Sequence, residues 1–502
     1  SPSALAMEVD TSAAGLLVIS EWYYDGWQAS LDGRRVPIYP ADYALQAIPV
    51  PAGRHRVVLR FVSPWQTAGI AISLAALLAA ALVVWRWRPA VARCAPLPRP
   101  RARPLPADAQ PQGEGRWRAL AVAVILVSLA LRAGQLGIRE LRGDEAFSYL
   151  FSRLPLGQIV PALLRQGDPH PPLHYLLLDL WMRLAGPSEY SLRYASVLPG
   201  VLLVALAFPL GRRLGGPRLG GLLAGLVALS GSLVGISRDV RNQYTYALMF
   251  STLATLLLVK ALERPTVGRW LAYSAACVLT VASHYYGGFA LVAHGLLVFS
   301  RREWRRRLGA WAASGVVALA AFLPWLVALW PHLVETGQVT DPSAPELAGY
   351  LTTIGSELAV GSALGAEAGR WLFVATLPLV VWGGRYLWAR RPGWAKYLAG
   401  WLGMAVLVIY LVRFRRAVFN PFYVLVAAPA WWILVSAGIE SMRRRGSWLR
   451  RLAILSLAGL ALGNAVGLGL YYFEPSRSRT AGYRGIAAHI AAQVEPGDLF
   501  VA

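Results

Sequence analysis

The sequence predicts an all-α membrane protein with many spanning helices, preceded by a small β-rich domain. Of its 502 residues, 56% are hydrophobic and 15% are charged, whereas soluble globular proteins carry roughly 25% charged residues. Apolar runs recur along most of the chain, and about 20 apolar residues suffice to cross the hydrocarbon core as a helix. The chain also has 20 tryptophans and 21 tyrosines, whose rings are typical anchors at membrane interfaces.

Residues 1–65 carry strand signals instead of long apolar runs. Side chains alternate at 27–31, an apolar run follows at 36–39, and Asp32-Gly33 lies between them. This arrangement predicts a β-hairpin, because both central turn positions need a positive φ. A second pair of strands is expected at 43–50 and 54–62, joined by 51–53. We therefore expect a small extracytoplasmic domain resembling a β-sandwich.

One extra transmembrane helix and a linker follow this domain. Residues 66–86 are almost wholly apolar and predict the helix. Residues 87–115 are rich in proline and arginine, which predicts a disordered linker. Because cytoplasmic loops carry the excess of basic residues, the linker is expected in the cytoplasm and the β-domain outside.

The multi-span domain is expected over 116–470. Spans are predicted at 117–137, 172–186, 192–210, 218–236, 242–262, 268–284, 286–300, 308–330, 371–389, 395–412, 418–440 and 450–470. Together with the helix at 66–86, we expect about 11–13 spans. Arginine clusters after alternate spans mark the cytoplasmic side. One conflict remains: 172–186 and 192–210 cannot both cross and leave Arg212 inside, so either 172–186 crosses only part way or a span near 347–368 is hidden.

Two whole-chain features bear on partners and completeness. The net charge of +23 is a feature of nucleic-acid-binding proteins, but here the arginines lie in short clusters between apolar runs, so no nucleic-acid partner is expected. The chain has no initial Met, and its tail at 471–502 turns polar shortly before it ends. We expect a piece of a longer protein, with 471–502 beginning an extracytoplasmic C-terminal domain.

The predicted outer loop 138–171 carries candidate catalytic residues. Asp144 and Glu145 are adjacent carboxylates, suited to a general base or to a divalent metal ligand. The alternative is a solvated charge or a helix N-cap at Asp144. His170 lies between prolines, where it would bind phosphate or orient a carboxylate, unless the prolines simply begin a helix.

Basic residues on the predicted outer side are candidate phosphate ligands. Arginine holds phosphate oxygens bidentately, and arginines outside run against the positive-inside tendency. The candidates are Arg238, Arg241, Arg415 and Arg416. For Arg238, the alternatives are snorkelling at the interface or an ion pair with Asp239. His284 and its neighbouring tyrosines are candidates as well, or else interface anchors. Arg132, Asp179 and Arg183 lie near predicted span ends, where snorkelling would explain them.

The order of these motifs resembles a known family. DEAFSY, DPHPPLHYLLL and RDVRNQYTYAL, followed by His-Tyr and later by Pro-x-Tyr, resemble the GT-C glycosyltransferases related to protein O-mannosyltransferases and the lipid A aminoarabinose transferase. The resemblance covers roughly 116–502 and implies a GT-C-like fold. Separately, 1–88 resembles the C-terminal part of YfhO-like bacterial membrane proteins, so the chain resembles a fusion.

The resemblance also implies roles for residues. Asp144 matches the base or acceptor-orienting aspartate, with Glu145 as its neighbour. His170 matches a histidine near the donor phosphate. Arg241 matches the residue that faces the carrier phosphate, and Tyr244 shares its motif. Tyr423 closes the late Pro-x-Tyr motif, in which the family usually has Arg where this chain has Phe422. Either Arg415 or Arg416 supplies that charge, or donor binding is altered or lost.

The function that these expectations favour is transfer of a sugar from a polyprenyl-phosphate donor on the extracytoplasmic face of the cell membrane. The acceptor would be a glycolipid, a cell-envelope glycan or a protein, and either retention or inversion remains open. The only cofactor considered is a divalent metal at Asp144 and Glu145. The alternatives are a transporter or flippase for a lipid-linked glycan, and a non-catalytic membrane scaffold with a degenerate transferase core.

Overall fold

The N-terminal domain is a sandwich of two antiparallel sheets. The computed structural model describes residues 4–22, 27–41, 45–61, 114–165, 170–241, 243–335, 346–412 and 420–474. One sheet has the order β1 (Ala4–Thr11), β7 (Gly53–Phe61), β3 (Trp27–Leu31) and β4 (Arg34–Val36). The other has the order β2 (Gly15–Trp22), β6 (Leu45–Val50) and β5 (Tyr39–Ala41). Their inner faces share a core of Ile19, Ala29, Ile48, Val50, Val57 and Leu59.

The first predicted hairpin is confirmed and the second is wrong. β3 and β4 pair across Asp32 and Gly33, whose φ angles of 49° and 84° fit the tight turn. β6 and β7 do not pair with each other, because β6 lies in one sheet and β7 in the other. Burial explains this, since each strand contributes apolar side chains to the core from the opposite side. The run predicted at 36–39 is likewise divided between β4 and β5.

The rest of the described chain is helical. The first half contains α1 (Glu114–Ala133), α2 (Gly143–Ser152), α3 (Leu156–Arg165), α4 (Leu173–Ala185), α5 (Glu189–Gly215), α6 (Pro217–Leu229), α7 (Gly231–Ile236), α8 (Gln243–Glu263) and α9 (Val267–Ser283). The second half contains α10 (Gly288–Phe299), α11 (Arg302–Arg305), α12 (Leu308–Glu335), α13 (Leu347–Ala359), α14 (Ala366–Arg390), α15 (Pro392–Val412), α16 (Ala428–Arg443) and α17 (Ser447–Phe473). Short 3₁₀ turns at Tyr285–Gly287, Ser362–Leu364 and Pro421–Ala427 precede α10, α14 and α16.

Helix length and composition confirm a multi-pass membrane protein. Among the described residues, seven helices are long and apolar enough to cross a bilayer, and three shorter apolar helices accompany them. Two long spans, α5 and the segment that ends in α16, are 89% buried within the protein. By contrast, α12 is 17% buried, so its apolar surface is left for lipid.

The basic ends of the helices meet on one side of the bundle. Arg213 at the end of α5 pairs with Glu263 at the end of α8, with 2.7 Å between the nitrogen and the oxygen. Arg444, just after α16, donates to the Gly215 carbonyl at the end of α5. By the positive-inside rule this is the cytoplasmic end, here called the inner end. The opposite, outer end contains the start of α5, the end of α7 and the end of α9.

The length of α4 agrees with the alternative in which 172–186 crosses only part way. α4 has 13 residues, which gives a length of about 20 Å, short of the roughly 30 Å hydrocarbon core. α13 also has 13 residues, so 347–368 does not hide a full span. The predicted loop 138–171 contains α2 and α3, and α2 packs against α4. The predicted helix at 66–86 lies outside the described residues, as do most of the predicted linker 87–115 and most of the predicted tail 471–502. Of these last two segments, 114–115 begin α1 and 471–473 end α17.

Candidate functional site

Asp144 lies at the outer end, in the first turn of α2. Its Oδ2 is 2.9 Å from Nη1 of Arg241, and its Oδ1 is 3.6 Å from Nη2 of Arg142. The side chain is 40% exposed, which leaves it accessible to a substrate. Arg142 is the N-cap residue of α2, so Asp144 is not the cap that the sequence allowed. The predicted catalytic residue therefore faces the predicted phosphate ligand directly.

Glu145 connects three segments at the outer end, which are α2, α5 and the 237–241 loop. It is 2% exposed, and both its oxygens accept from Arg193 of α5, at 3.0 and 2.8 Å. The backbone N–H groups of Arg142 and Val240 donate to the same carboxylate at 3.0 and 3.1 Å. A carboxylate engaged by four donors is not available as a base. Its contacts hold the start of α2 against α5 and the 237–241 loop.

Arg193 binds Glu145 and also binds the segment between α1 and α2. Besides Glu145, its guanidinium donates to three carbonyls of the segment between α1 and α2, those of Leu136, Arg139 and Glu140, at 2.6–2.7 Å. All five guanidinium N–H groups of an arginine point outward in one plane, which suits such divergent contacts. Arg193 is not among the residues predicted from sequence, because it lies inside the predicted apolar span 192–210. An arginine there is itself a functional signal.

Asp239 holds Arg241 in place. Its carboxylate pairs with Arg241 at 3.2 Å and with Arg142, and its Oδ1 accepts from the Arg241 backbone N–H at 3.0 Å. Burial alone would raise the pKa of Asp239, but the positive charges of Arg241 and Arg142 lower this pKa below its ordinary value. The sequence allowed a pair between Asp239 and Arg238. The structure pairs Asp239 with Arg241 and Arg142 instead.

A wall of aromatic and imidazole rings adjoins this ion-pair network. The Tyr244 ring lies 4.9 Å from the ring of His284, centroid to centroid. His284 in turn lies 5.9 Å from His170 and 6.3 Å from Tyr423. His284 is fully buried, and its Nδ1 accepts from the Tyr286 backbone N–H. The motif residues of four separate segments thus converge on one place.

Arg238 points away from this convergence. Its Nη1 donates to the carbonyls of Leu131, Arg132 and Gly134 at the end of α1, at 3.3 and 3.1 Å for the first two. Its guanidinium carbon lies 4.4 Å from the centroid of the Tyr472 ring. Arg132 is fully buried and does not snorkel; it donates to the carbonyls of Val227 and Ala228, where α6 ends.

Some of the remaining predicted residues are described by the structure and others are not. Arg415 and Arg416 lie outside the described residues. Phe422 is described; its backbone N–H donates to the Asn420 side chain, and the residue lines an outer cavity of about 240 Å³. Asp179 and Arg183 form an ion pair with each other on α4, at 2.9 Å. The cavity wall also includes Arg241 and Tyr244, so the cavity opens beside the convergent residues.

The carboxylates do not fit a divalent metal site. Arg241 and Arg193 bind Asp144 and Glu145 respectively, and arginines beside a carboxylate compete with a cation for its oxygens. Divalent ions such as Ca²⁺ need several oxygen ligands together. Within the part of the chain that the structure describes, no group of three or more His, Cys, Asp or Glu side chains is placed to hold a metal.

Comparison with known proteins gives matches to two separate parts of the chain and to one similar fold. The protein-family model described as dolichyl-phosphate-mannose-protein mannosyltransferase matches residues 169–328. The family model of the bacterial membrane protein YfhO matches residues 2–73. The fold is similar to that of ArnT from Cupriavidus metallidurans, solved with undecaprenyl phosphate bound, with a TM-score of 0.51 and 18% identity over 76% of this chain and 81% of that chain. The expected fold class, a GT-C-like helical protein with a small β-domain, is confirmed.

Particular relatives are found by sequence. The chain is similar to the undecaprenyl phosphate-alpha-4-amino-4-deoxy-L-arabinose arabinosyl transferases of Pseudomonas paraeruginosa and Pseudomonas aeruginosa. Each match is 30% identical over 191 residues, which is 34% of this chain. The match spans about a third of the relatives' own length, 35% in both cases.

Proposed function

We propose that the protein is a membrane glycosyltransferase, which transfers a sugar from a polyprenyl-phosphate donor to an acceptor hydroxyl on the extracytoplasmic face. The acceptor class is a glycolipid, a cell-envelope glycan or a protein. The observation that carries the proposal is the contact between Asp144 and Arg241, at 2.9 Å. It pairs an accessible carboxylate with a guanidinium beside a wall of rings. We assign this activity to 116–470.

Arg241 is suited to hold the carrier phosphate. Asp239 and Asp144 both pair with its guanidinium, and charge from Asp239 and then Asp144 raises the pKa of Arg241 despite its burial. The residue therefore stays cationic throughout. An incoming phosphate would replace the exposed Asp144, whereas the more buried Asp239 would stay. Guanidinium groups bind phosphate oxygens bidentately and stabilise charge that develops on a leaving phosphate.

The carboxylate released by this exchange would act as the base. The acceptor oxygen forms a bond to the anomeric carbon of the sugar, and its proton moves to Asp144. The bond between that carbon and the phosphate oxygen breaks, and its electron pair leaves with the phosphate at Arg241. The products are the glycosylated acceptor and the free polyprenyl phosphate. Glu145 and Arg193 take no proton in this scheme and keep Asp144 in position.

The test is release of polyprenyl phosphate from a panel of radiolabelled polyprenyl-phosphate sugars, with the full-length chain in lipid nanodiscs. Asp144→Asn should lower transfer by about 100-fold or more, since general-base catalysis contributes 10²–10⁴-fold. Asp10→Asn is the matched control, because Asp10 pairs with Arg54 in the β-domain. Asp144→Asn protein that keeps near-full activity contradicts the assignment. Carrier binding without release from any donor would favour transport or scaffolding.

A further inference from the structure

The outer cavity extends beyond the residues used above. It lies between the 134–142 segment, α7, the end of α13 and the end of α17. Its lining residues include Arg241 and Tyr244, and also Arg139, Arg238 and Gly235. Arg139 and Arg238 both lie over the Tyr471 ring, and with Gly235 they form the part of the wall here called the far side. Gln135 lines it too and has a φ of 56°, in the left-handed region that side chains rarely adopt. Such strained positions cluster at binding sites.

The two far-side arginines, Arg139 and Arg238, have different partners from the arginines near Asp144. Arg142, Arg193 and Arg241 each pair with a carboxylate. In the described ranges, neither Arg139 nor Arg238 forms an ion pair with any carboxylate. Arg139 donates to the Tyr471 carbonyl and lies over the Tyr471 ring, 4.5 Å from its centroid. Among the described residues, carbonyls and aromatic rings hold these two arginines.

Arg238 is fixed and only partly satisfied. It is 5% exposed, and its Nε has no hydrogen-bond partner among the described residues. Carbonyl contacts at the end of α1 and the rings of Tyr471 and Tyr472 hold the guanidinium in place. A buried charged group that lacks a counter-ion is costly. Burial lowers the pKa of Arg139, and the positive charges of Arg238 and Arg193 lower it further, which agrees with an uncompensated basic cluster.

We propose that this side of the cavity is a second oxyanion-binding site, which takes a phosphate or carboxylate group held by Arg139 and Arg238, apart from the position at Arg241. An oxyanion would supply the missing counter-charge, and planar guanidinium groups match its geometry. Binding of the anion does not depend on turnover. That the anion is part of a sugar donor or acceptor rests on the proposed function.

Gly235 offers a way to fill the site without touching a charge. A Cβ built on Gly235 meets no heavy atom within 4 Å, and the residue lines the cavity. Gly235→Leu would therefore place a side chain in the cavity without a backbone clash. Gly225 on α6 also has nothing within 4 Å of its Cβ but is not part of the cavity wall. Gly225→Leu is thus the matched control for adding a leucine to a helix.

The experiment measures how inorganic phosphate raises the melting temperature of the full chain in nanodiscs of zwitterionic lipid. A bound ligand stabilises the folded state by an amount that grows with the logarithm of its concentration. Arg139→Gln should weaken phosphate binding by about 10- to 100-fold, the range expected for a lost charged hydrogen bond. Gly235→Leu should weaken the effect at least as much as Arg139→Gln does, whereas Gly225→Leu and Arg153→Gln should keep it. Arg153 is exposed at the end of α2 and contacts Tyr149.

The proposal is overturned if Arg139→Gln and Gly235→Leu both show the wild-type phosphate effect. If Gly235→Leu fails to fold, Arg139→Gln alone still decides. Repeating the titration with undecaprenyl phosphate present tests whether the two positions are separate. Competition would mean that inorganic phosphate binds at the Arg241 position and would overturn the second site, whereas additive stabilisation supports two separate sites. Because the readout is binding, an inactive protein with an intact phosphate effect counts against the proposed function alone.

Discussion

The two ends of the helical bundle both carry arginines, but in opposite surroundings. At the inner end, Arg301, Arg302 and Arg305 are exposed around the short helix α11. At the outer end, Arg193 and Arg238 are each 5% exposed. An exposed arginine is hydrated and contributes little to stability through ion pairs. A buried arginine has lost that hydration and needs several partners in return.

The difference shows which arginines orient the protein and which build its site. Exposed basic clusters at the inner end are the usual signal of the cytoplasmic face. Each buried arginine at the outer end connects separate segments: Arg193 joins α5 to the start of α2, and Arg241 contacts both Asp144 and Asp239. Removing an outer arginine should therefore change the site, whereas removing an inner one should not.

The largest expected effect is at Arg193. Arg193→Met should destabilise the protein by about 3–5 kcal/mol, because it leaves the buried Glu145 carboxylate without its counter-charge. The measurement is thermal unfolding of the detergent-solubilised full chain. We expect a clear fall in melting temperature and loss of transfer. In the double variant Arg193→Met with Glu145→Leu, part of the stability should return, since the unpaired charge is then gone.

The control for Arg193 is an inner-end arginine. Arg305→Gln removes a charge of the same sign from an exposed position, and surface substitutions usually change stability by no more than about 0.5 kcal/mol. Equal melting temperatures for Arg193→Met and Arg305→Gln would contradict the contrast between the two ends.

A smaller effect is expected at Arg241. Arg241→Lys keeps the charge, but an ammonium group cannot reproduce the planar contacts to Asp144 and Asp239. We expect transfer to fall by about tenfold or more, mainly through weaker binding of the carrier, which corresponds to about 1.4 kcal/mol. Steady-state kinetics with varied donor concentration would check this. Arg443→Lys is the matched control, because Arg443 also makes two contacts to one carboxylate, Glu440, but at the inner end.

Most of the helical fold could be predicted from sequence because bilayer thickness and apolar run length determine each span. The spans around α5, α8 and α14 are found close to where their apolar runs lie. The conflict at 172–186 has the same origin, since apolar composition alone does not distinguish a helix that crosses part way from one that crosses fully. The 13-residue length of α4 was the signal available. Sheet pairing in the β-domain was harder, because alternation assigns faces but not partners.

Candidate site residues were predictable where the chain places a charge outside a span. Asp144, His170 and Arg241 stand in polar loops or at helix starts, and the structure brings them to the same end as Tyr244 and His284. The residues that support them were not found. Arg193 is hidden in an apolar span, and Asp239 was interpreted as a partner of Arg238. These ion pairs depend on which loops lie together in the folded protein. The local sequence does not encode that information.

The acid dependence of stability should separate the outer network from exposed carboxylates. Because Arg241 and Arg142 lower the folded-state pKa of Asp239 despite its burial, the unfolded chain binds the proton more readily. The Asp239 contribution is therefore fully present above the ordinary aspartate pKa of about 3.9 and is lost as pH falls through the lower folded value. Asp239→Asn removes this contribution. Its melting temperature should lie below that of the wild type at pH 7, and the gap should shrink below about pH 4.

This last prediction is checked by melting curves between pH 3 and pH 7 for the wild type, Asp239→Asn and Asp10→Asn. Asp10 is 65% exposed in its pair with Arg54, so its substitution should leave the curve almost unchanged. A gap for Asp239→Asn that stays constant to pH 3 would mean that Asp239 contributes through shape alone. A gap that narrows below about pH 4, with no gap for Asp10→Asn, would place the stabilising charge at the outer end. At that end, the Asp239 carboxylate fixes Arg241, and we propose that Arg241 holds the carrier phosphate.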